Sequence, residues 1–163
     1  MKPMRKRNKL YDIGTIALWA VACSVSVAQD KARPSTVDIQ QRSHSINNAL
    51  TAAAQVQHQV ADFRQRNGKF PSTNDEAAIG GPGSFANADV SSVTVEDNGV
   101  VEVRLTAASG VEDGAIVLTP SLSKNTGENN IDWRCASASY ATISDDTNGV
   151  CEYSKVPTVA NGR

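Results

Sequence analysis

The residues of this sequence best suited to bind a transition-metal ion are its two histidines, His44 and His58. Zinc and similar ions need several ligands, commonly imidazole, thiolate or carboxylate groups, that converge on one point. The histidines are fourteen positions apart, about 21 Å along a helix, so they cannot share an ion. His58 and Asp62 have the spacing of a helical surface pair instead. We therefore predict no metal site and no cofactor.

The carboxylates favour no catalytic chemistry either. Residues 145–149, DDTNG, have the oxygens of a calcium loop but lack its alternating ligand spacing and terminal glutamate, so we interpret them as a turn. Asp75–Glu76 and Glu112–Asp113 are adjacent pairs in predicted loops, and adjacent side chains do not converge on one substrate bond. Phosphate-binding glycine loops, nucleophile elbows and zinc-protease motifs are absent from the sequence. The sequence predicts a non-enzymatic protein.

The N-terminal segment, residues 1–28, has the order of an export signal. A basic cluster precedes an apolar run from Ile13 to Ala22, and small residues follow as far as Ala28. Cleavage there would leave Gln29 as the first mature residue. Two alternatives stay open: lipidation of Cys23 in a lipoprotein-like box, and an uncleaved membrane anchor, although the apolar run is short for a bilayer span.

The cysteines are consistent with export into an oxidising compartment. With Cys23 assigned to the signal, Cys135 and Cys151 remain as an even pair. A bond between them would close a loop of fifteen residues and stabilise the fold by about 3 kcal/mol in the chain-entropy treatment. Two free thiols are the alternative.

Charge divides the chain more sharply than its net value of −1 indicates. Residues 31–69 carry six basic and two acidic side chains, whereas residues 75–152 carry three basic and thirteen acidic ones. An acidic surface repels polyanions, so nucleic acid could be bound only along the basic segment. We predict that nucleic acid is not a partner.

One long helix is predicted from Ser35 to Asn67. Apolar residues recur there as a single stripe, Ser35 can cap the first turn, and Gly68 follows the last. The stripe consists of Ile39, Ile46, Ala49, Leu50, Ala53, Val56, Val60 and Phe63. A helix with one narrow apolar stripe needs a sheet or another helix to cover it.

Alternating residues between positions 90 and 137 predict that covering sheet. A hairpin with a three-residue loop, Asp97 to Gly99, pairs Val95 with Val101 and Val93 with Val103, with Gly99 in the left-handed conformation. A third strand is expected from Ala115 to Thr119, stopped by Pro120, and a fourth from Asn130 to Ala136. Trp133 on this strand is interpreted as a core residue. Residues 29–155 thus form one α+β domain, and residues 156–163 a flexible tail.

In this order the fragments resemble the type IV pilins and pseudopilins over residues 40–153. The resemblance is carried by ADFRQRNGKFP at the helix end, the hairpin FANADVSSVTVEDNGVVEVRL, the strand AIVLTP, then IDWRC and a second cysteine. It implies a long N-terminal helix packed on a four-stranded antiparallel sheet, with a C-terminal disulfide loop from Cys135 to Cys151. It also implies that this loop and the connecting loop from Ser72 to Asn87 contact partners.

The resemblance implies a pilus-type subunit, or a periplasmic partner of the pilus or type II secretion machinery, that acts in adhesion or surface binding. Its partners would be pilin or pseudopilin subunits, at the periplasm or cell surface. The alternatives are an exported lipoprotein binding module and a DNA-binding uptake factor. The predicted contact residues are Arg64, Arg66 and Lys69 at the helix end, and Asp145, Asp146 and Asn148 in the disulfide loop.

The N-terminal sequence departs from the family pattern. Family members have a leader cut after glycine, then phenylalanine, a nearby glutamate and a long apolar half-helix. This sequence has Ile13-Gly14-Thr15 instead, and a polar stretch from Gln29 to Pro34. In the resembled family, burial of the apolar half-helix supplies most of the free energy of filament assembly. We therefore expect a mature protein that starts near Gln29 to be monomeric and to form no filament alone.

Overall fold

A computed structural model describes residues 36–123 and 130–155. The predicted export signal, the lipidation candidate Cys23, the helix cap Ser35 and the C-terminal tail lie outside the described residues.

Helix α1 spans Thr36–Asn67, within one residue of the predicted bounds. Its buried face is built from small and β-branched residues, which let the helix approach the sheet closely: Ser45, Ile46, Ala49, Ala52, Ala53, Val56 and Val60. The helix ends where Gly68 adopts a φ of 71° and its amide donates to the carbonyl of Arg64 at 2.8 Å.

The predicted apolar stripe extends further toward the N-terminus than the buried face of α1 does, so the inclusion of Ile39 is wrong. Ile39 is 39% exposed and lies beyond the part of the helix that the sheet covers. Phe63, at the other end, is only half-buried. The sheet is shorter than the helix, so the apolar repeat continues past its covering layer.

Within the described residues, five strands form one mixed sheet, in the order β1-β2-β3-β4-β5. They are β1 Val90–Glu96, β2 Val100–Leu105, β3 Ala115–Leu122, β4 Ile131–Ser137 and β5 Cys151–Tyr153. The first four are antiparallel, as predicted, and the short β5 adds a parallel strand beside β4. A short helix, α2, spans Ile143–Asp146 between the last two strands.

Two further strand predictions meet different outcomes. The hairpin register is confirmed: Val95 pairs with Val101 and Val93 with Val103, and Gly99 has a φ of 74°. The expected stop at Pro120 is wrong, since β3 continues to Leu122 with Pro120 opposite Trp133. Pairing of β3 with β2 ends at Leu118, so no β2 residue faces the proline, which lacks an N–H.

The core lies between the buried face of α1 and the inner face of the sheet. One row of inner residues crosses all five strands: Val95, Val101, Leu118, Cys135 and Cys151. A second row, of Val93, Val103 and Ile116, lies beside it and is fully buried. These rows are the surface that covers the helical stripe.

The β1–β2 turn also contacts the C-terminal end of α1. The amide of Gly99 donates to the carbonyl of Pro71 at 2.8 Å. A Cβ atom on Gly99 would lie 3.0 Å from the Phe70 ring and 3.1 Å from Val60. The hairpin tip therefore reaches the helix only because this position has no side chain.

We predict that Gly99→Ala destabilises the domain more than Gly68→Ala. Both glycines have a positive φ, so each alanine carries backbone strain of about 1 kcal/mol. A Cβ on Gly68 would meet nothing within 4 Å, whereas on Gly99 it overpacks the core by about 1–3 kcal/mol more. Urea unfolding of both variants measures the difference, and equal losses would contradict the close packing of the turn.

Candidate interaction surfaces

The disulfide loop is held to the helix by an internal ion pair. In Asp146, the last residue of α2, Oδ2 accepts from Nε of Arg42 at 2.9 Å and Oδ1 accepts from Nη2 at 3.2 Å. Ser43 Oγ donates to Oδ1 at 2.8 Å and Thr142 Oγ1 to Oδ2 at 3.0 Å. The Asp146 side chain is only 4% exposed and that of Arg42 20%. The two residues, far apart in sequence, thus form a bidentate ion pair, called the Arg42–Asp146 clasp below.

The environment of Asp146 favours its ionised form. Burial alone would raise the pKa of this carboxyl, because a charge loses its hydration there. The hydrogen bonds from Arg42, Ser43 and Thr142, together with the Arg42 charge, outweigh burial and lower the pKa below its ordinary value of 3.8. The carboxylate is therefore charged at neutral pH and belongs to the interior.

A second carboxylate holds the start of β1 against the same part of the helix. Asp89 is buried, and its two oxygens accept from Ser45 Oγ at 2.6 Å and Asn48 Nδ2 at 2.5 Å. These two hydrogen bonds lower the pKa of Asp89, against the opposing effect of burial. Asp89 also explains why Ser45, a polar residue, lies on the buried face of α1.

The disulfide loop has further anchors at both ends. Cys135 and Cys151 are bonded, and they face each other directly across β4 and β5 with their Cα atoms 4.5 Å apart. The predicted disulfide is therefore confirmed. Near the loop start, the hydroxyls of Tyr140 and Ser109 lie 2.6 Å apart in the interior, where burial raises the pKa of Tyr140. The loop is fixed to the domain along its length.

The connecting loop, Ser72 to Asn87, is attached along the free edge of β1. The Asn74 side chain donates to the carbonyl of Val93 at 2.9 Å and accepts from the amide of Val95 at 2.6 Å. It thus makes the pair of bonds that a neighbouring strand would make. This side chain occupies two backbone groups on the edge of β1, the Val93 carbonyl and the Val95 amide, that could otherwise pair with another strand.

The predicted contact residues at the helix end are engaged to different degrees. Arg64 contacts the carbonyl of Gly68, and its guanidinium lies 5.2 Å from the centre of the Phe70 ring. Lys69 lies 3.7 Å from Glu76 on the surface. Arg66 is exposed. Two of the three cations therefore already contact their own chain.

The predicted contact residues in the disulfide loop divide as well. Asp145 and Asn148 are exposed, Asn148 with a φ of 51° in the turn after α2. Asp146 points inward to Arg42, so its carboxylate is not presented to a partner. This difference could not be predicted from the sequence, because Asp145 and Asp146 are adjacent and have the same side chain.

No group of three or more His, Cys, Asp or Glu side chains among the described residues could hold a metal ion. Across the same part of the chain, no helix combines the length and apolar character needed to cross a membrane. The features that these residues offer are anchored loops, an exposed helix end and surface clefts.

A family model described as pilin, a bacterial filament protein, matches residues 45–152, about two thirds of the chain. The chain belongs to the pilin family. This pilin has the long helix, the sheet and the disulfide that the resemblance implied. A comparison with curated proteins found no significant match. Family membership identifies a structural subunit and indicates assembly with other pilin subunits and an exported or surface location.

We predict that Arg42→Ala destabilises this pilin by about 2–4 kcal/mol, because it leaves the buried Asp146 carboxylate without its cation. Arg134→Ala is the matched control, since Arg134 forms an exposed pair with Glu152 at 3.3 Å and its loss should change stability by less than about 1 kcal/mol. Chemical denaturation measures both. A loss for Arg42→Ala as small as for the control would contradict the clasp.

The stabilisation from Asp146 should depend on pH. Its pKa is lowered on folding, so the stabilisation is fully present above the ordinary value of 3.8 and is lost as the pH falls through the folded value. Asp146→Asn should therefore destabilise strongly at pH 7 and progressively less below about pH 4. The exposed Asp145→Asn is the control and should have little effect at any pH. A pH-independent loss for Asp146→Asn would contradict this.

Proposed function

We propose that this pilin is exported and joins a pilus-type assembly as a subunit or periplasmic partner, through the N-terminal end of α1. The observation that carries the proposal is the exposure of two large apolar residues in the first turn. Val37 is 69% exposed and Ile39 39%, although the rest of the described domain has a well-formed core. A partner that covers these two side chains would gain the free energy of burying their apolar surface.

Val37 and Ile39 lie on nearly opposite sides of the helix, because two residues along a helix correspond to a rotation of about 200°. One flat surface therefore cannot cover both side chains. All residues from Thr36 to Gln41 are exposed, so this end projects from the domain. Neighbouring subunits on more than one side would bury both apolar side chains.

The anchored loops support a role in surface binding for the same protein. The connecting loop and the disulfide loop are both fixed by internal hydrogen bonds, so little chain entropy would be lost when a partner binds them. Two exposed apolar residues lie nearby: Val150 is at the C-terminal end of the disulfide loop, and Tyr153 is in β5. These positions suit adhesion or contact with a secretion component.

The two alternatives have weaker support. A DNA-binding role would use Arg64, Arg66 and Lys69, and Arg64 and Lys69 contact their own chain instead. The acidic excess of residues 75–152 would also repel a polyanion. A lipoprotein role rests on Cys23, which lies outside the described residues.

We predict that the double variant Val37→Ser, Ile39→Ser lowers recovery in sheared filaments by about tenfold when this pilin is expressed with other pilin subunits. Its melting temperature should not change, because both side chains are exposed. Gln40→Ser, exposed between them, is the matched control and should be recovered normally. Normal recovery of the double variant would contradict contact through the helix end.

Self-association of this pilin can be tested separately from its assembly with other subunits. Residues 29–36 are polar or charged except for Ala32 and Pro34, so they offer little apolar area for self-association. We expect the purified mature protein, when it starts at or near Gln29, to sediment as a monomer and to form no filaments under electron microscopy. Ordered filaments of the protein alone would contradict this expectation.

A further inference from the structure

A cleft separates the C-terminal half of α1 from the first half of β4. Strand β5 pairs with β4 only from Cys135 onward, so among the described residues no strand lies beside Ile131–Arg134 on the side opposite β3. The cleft has a volume of about 360 Å³. It is lined by Ala54, Gln57, His58 and Ala61 from the helix and by Asn130, Ile131 and Trp133 from the strand side.

None of the lining residues carries a formal charge. This reflects a longer pattern, since residues 43–61 of α1 contain no Asp, Glu, Lys or Arg, although a fifth of the whole chain is charged. The described residues that line the cleft thus include no Asp, Glu, Lys or Arg that could pair with a phosphate, a carboxylate or an amine. A charged ligand would lose hydration there without gaining an ion pair, so the ligand that fits is neutral.

The lining combines one aromatic plane with polar groups at its edge. Trp133 is partly buried, packs against the core and forms one wall. Gln57 and His58 project from adjacent helix positions and offer an amide and an imidazole, which can both donate and accept hydrogen bonds. A flat apolar wall beside paired donors and acceptors suits a ligand with one apolar face and a rim of hydroxyl groups.

We propose that this cleft binds a neutral saccharide ring, with its C–H face on Trp133 and its hydroxyl groups on Gln57 and His58. A purely apolar ligand, such as an acyl chain, fits less well, because it would cover the amide and imidazole without satisfying them. The site belongs to the folded domain and does not depend on whether the protein assembles through its helix end.

Titration of the full chain with methyl α-D-glucopyranoside and methyl N-acetyl-β-D-glucosaminide, followed by ¹H–¹⁵N NMR, tests the proposal. We expect the indole N–H resonance of Trp133 and the side-chain amide of Gln57 to shift with at least one probe. Gln57→Ala should weaken binding about tenfold, the loss expected for one or two hydrogen bonds. Gln59→Ala, exposed on the same helix outside the cleft, is the matched control and should bind normally.

Trp133→Phe keeps an aromatic wall and is expected to fold, so it separates binding from folding. It should weaken binding without changing the dispersion of the core methyl resonances. Three results would overturn the proposal: no shift with either probe at millimolar concentrations, binding unchanged in Gln57→Ala and Trp133→Phe, or equal binding of glucuronate, whose negative charge would have no partner among the described lining residues.

Discussion

The burial of the alanine- and valine-rich face of α1 against the inner face of the sheet is the contact on which the rest of the domain depends. The alanines at positions 49, 52 and 53 let the helix backbone approach the two inner rows of the sheet, and Val56 and Val60 fill the space toward the β1–β2 turn. Apolar contact of this kind is non-directional, so by itself it would allow the helix to slide or rotate. Polar contacts have to fix its position.

Two carboxylates provide that fixation in the N-terminal half of the helix. Asp89 accepts from Ser45 and Asn48, and Asp146 accepts from Arg42 and Ser43. Both acids come from segments distant in sequence, and both are directional acceptors that tolerate only one helix register. The same contacts hold the disulfide loop and the start of β1, so the surfaces proposed to meet partners are positioned by the interior of the domain.

The elements set by local pattern were predictable from the sequence, and those set by long-range contact were not. The bounds of α1 and the register of the β1–β2 hairpin follow from apolar spacing and one turn, and the structure confirms both. The fifth strand is only three residues long, and no local alternation marks it. Asp145 and Asp146 have the same side chain, and only Asp146 contacts Arg42, a residue more than a hundred positions away. The Trp133 cleft likewise arises because β5 pairs with β4 only from Cys135 onward. That pairing depends on the strand topology and cannot be predicted from local sequence.

The covalent link between β4 and β5 has a mechanical consequence for a chain of a filament family. When the two ends of the polypeptide are pulled apart, tension passes from Cys135 directly to Cys151 and bypasses the residues between them. Those residues, which would otherwise add about 50 Å of extended length, cannot be drawn out. The loop that carries α2 and its outer turn therefore keeps its shape under a pulling force until the strands around it have separated.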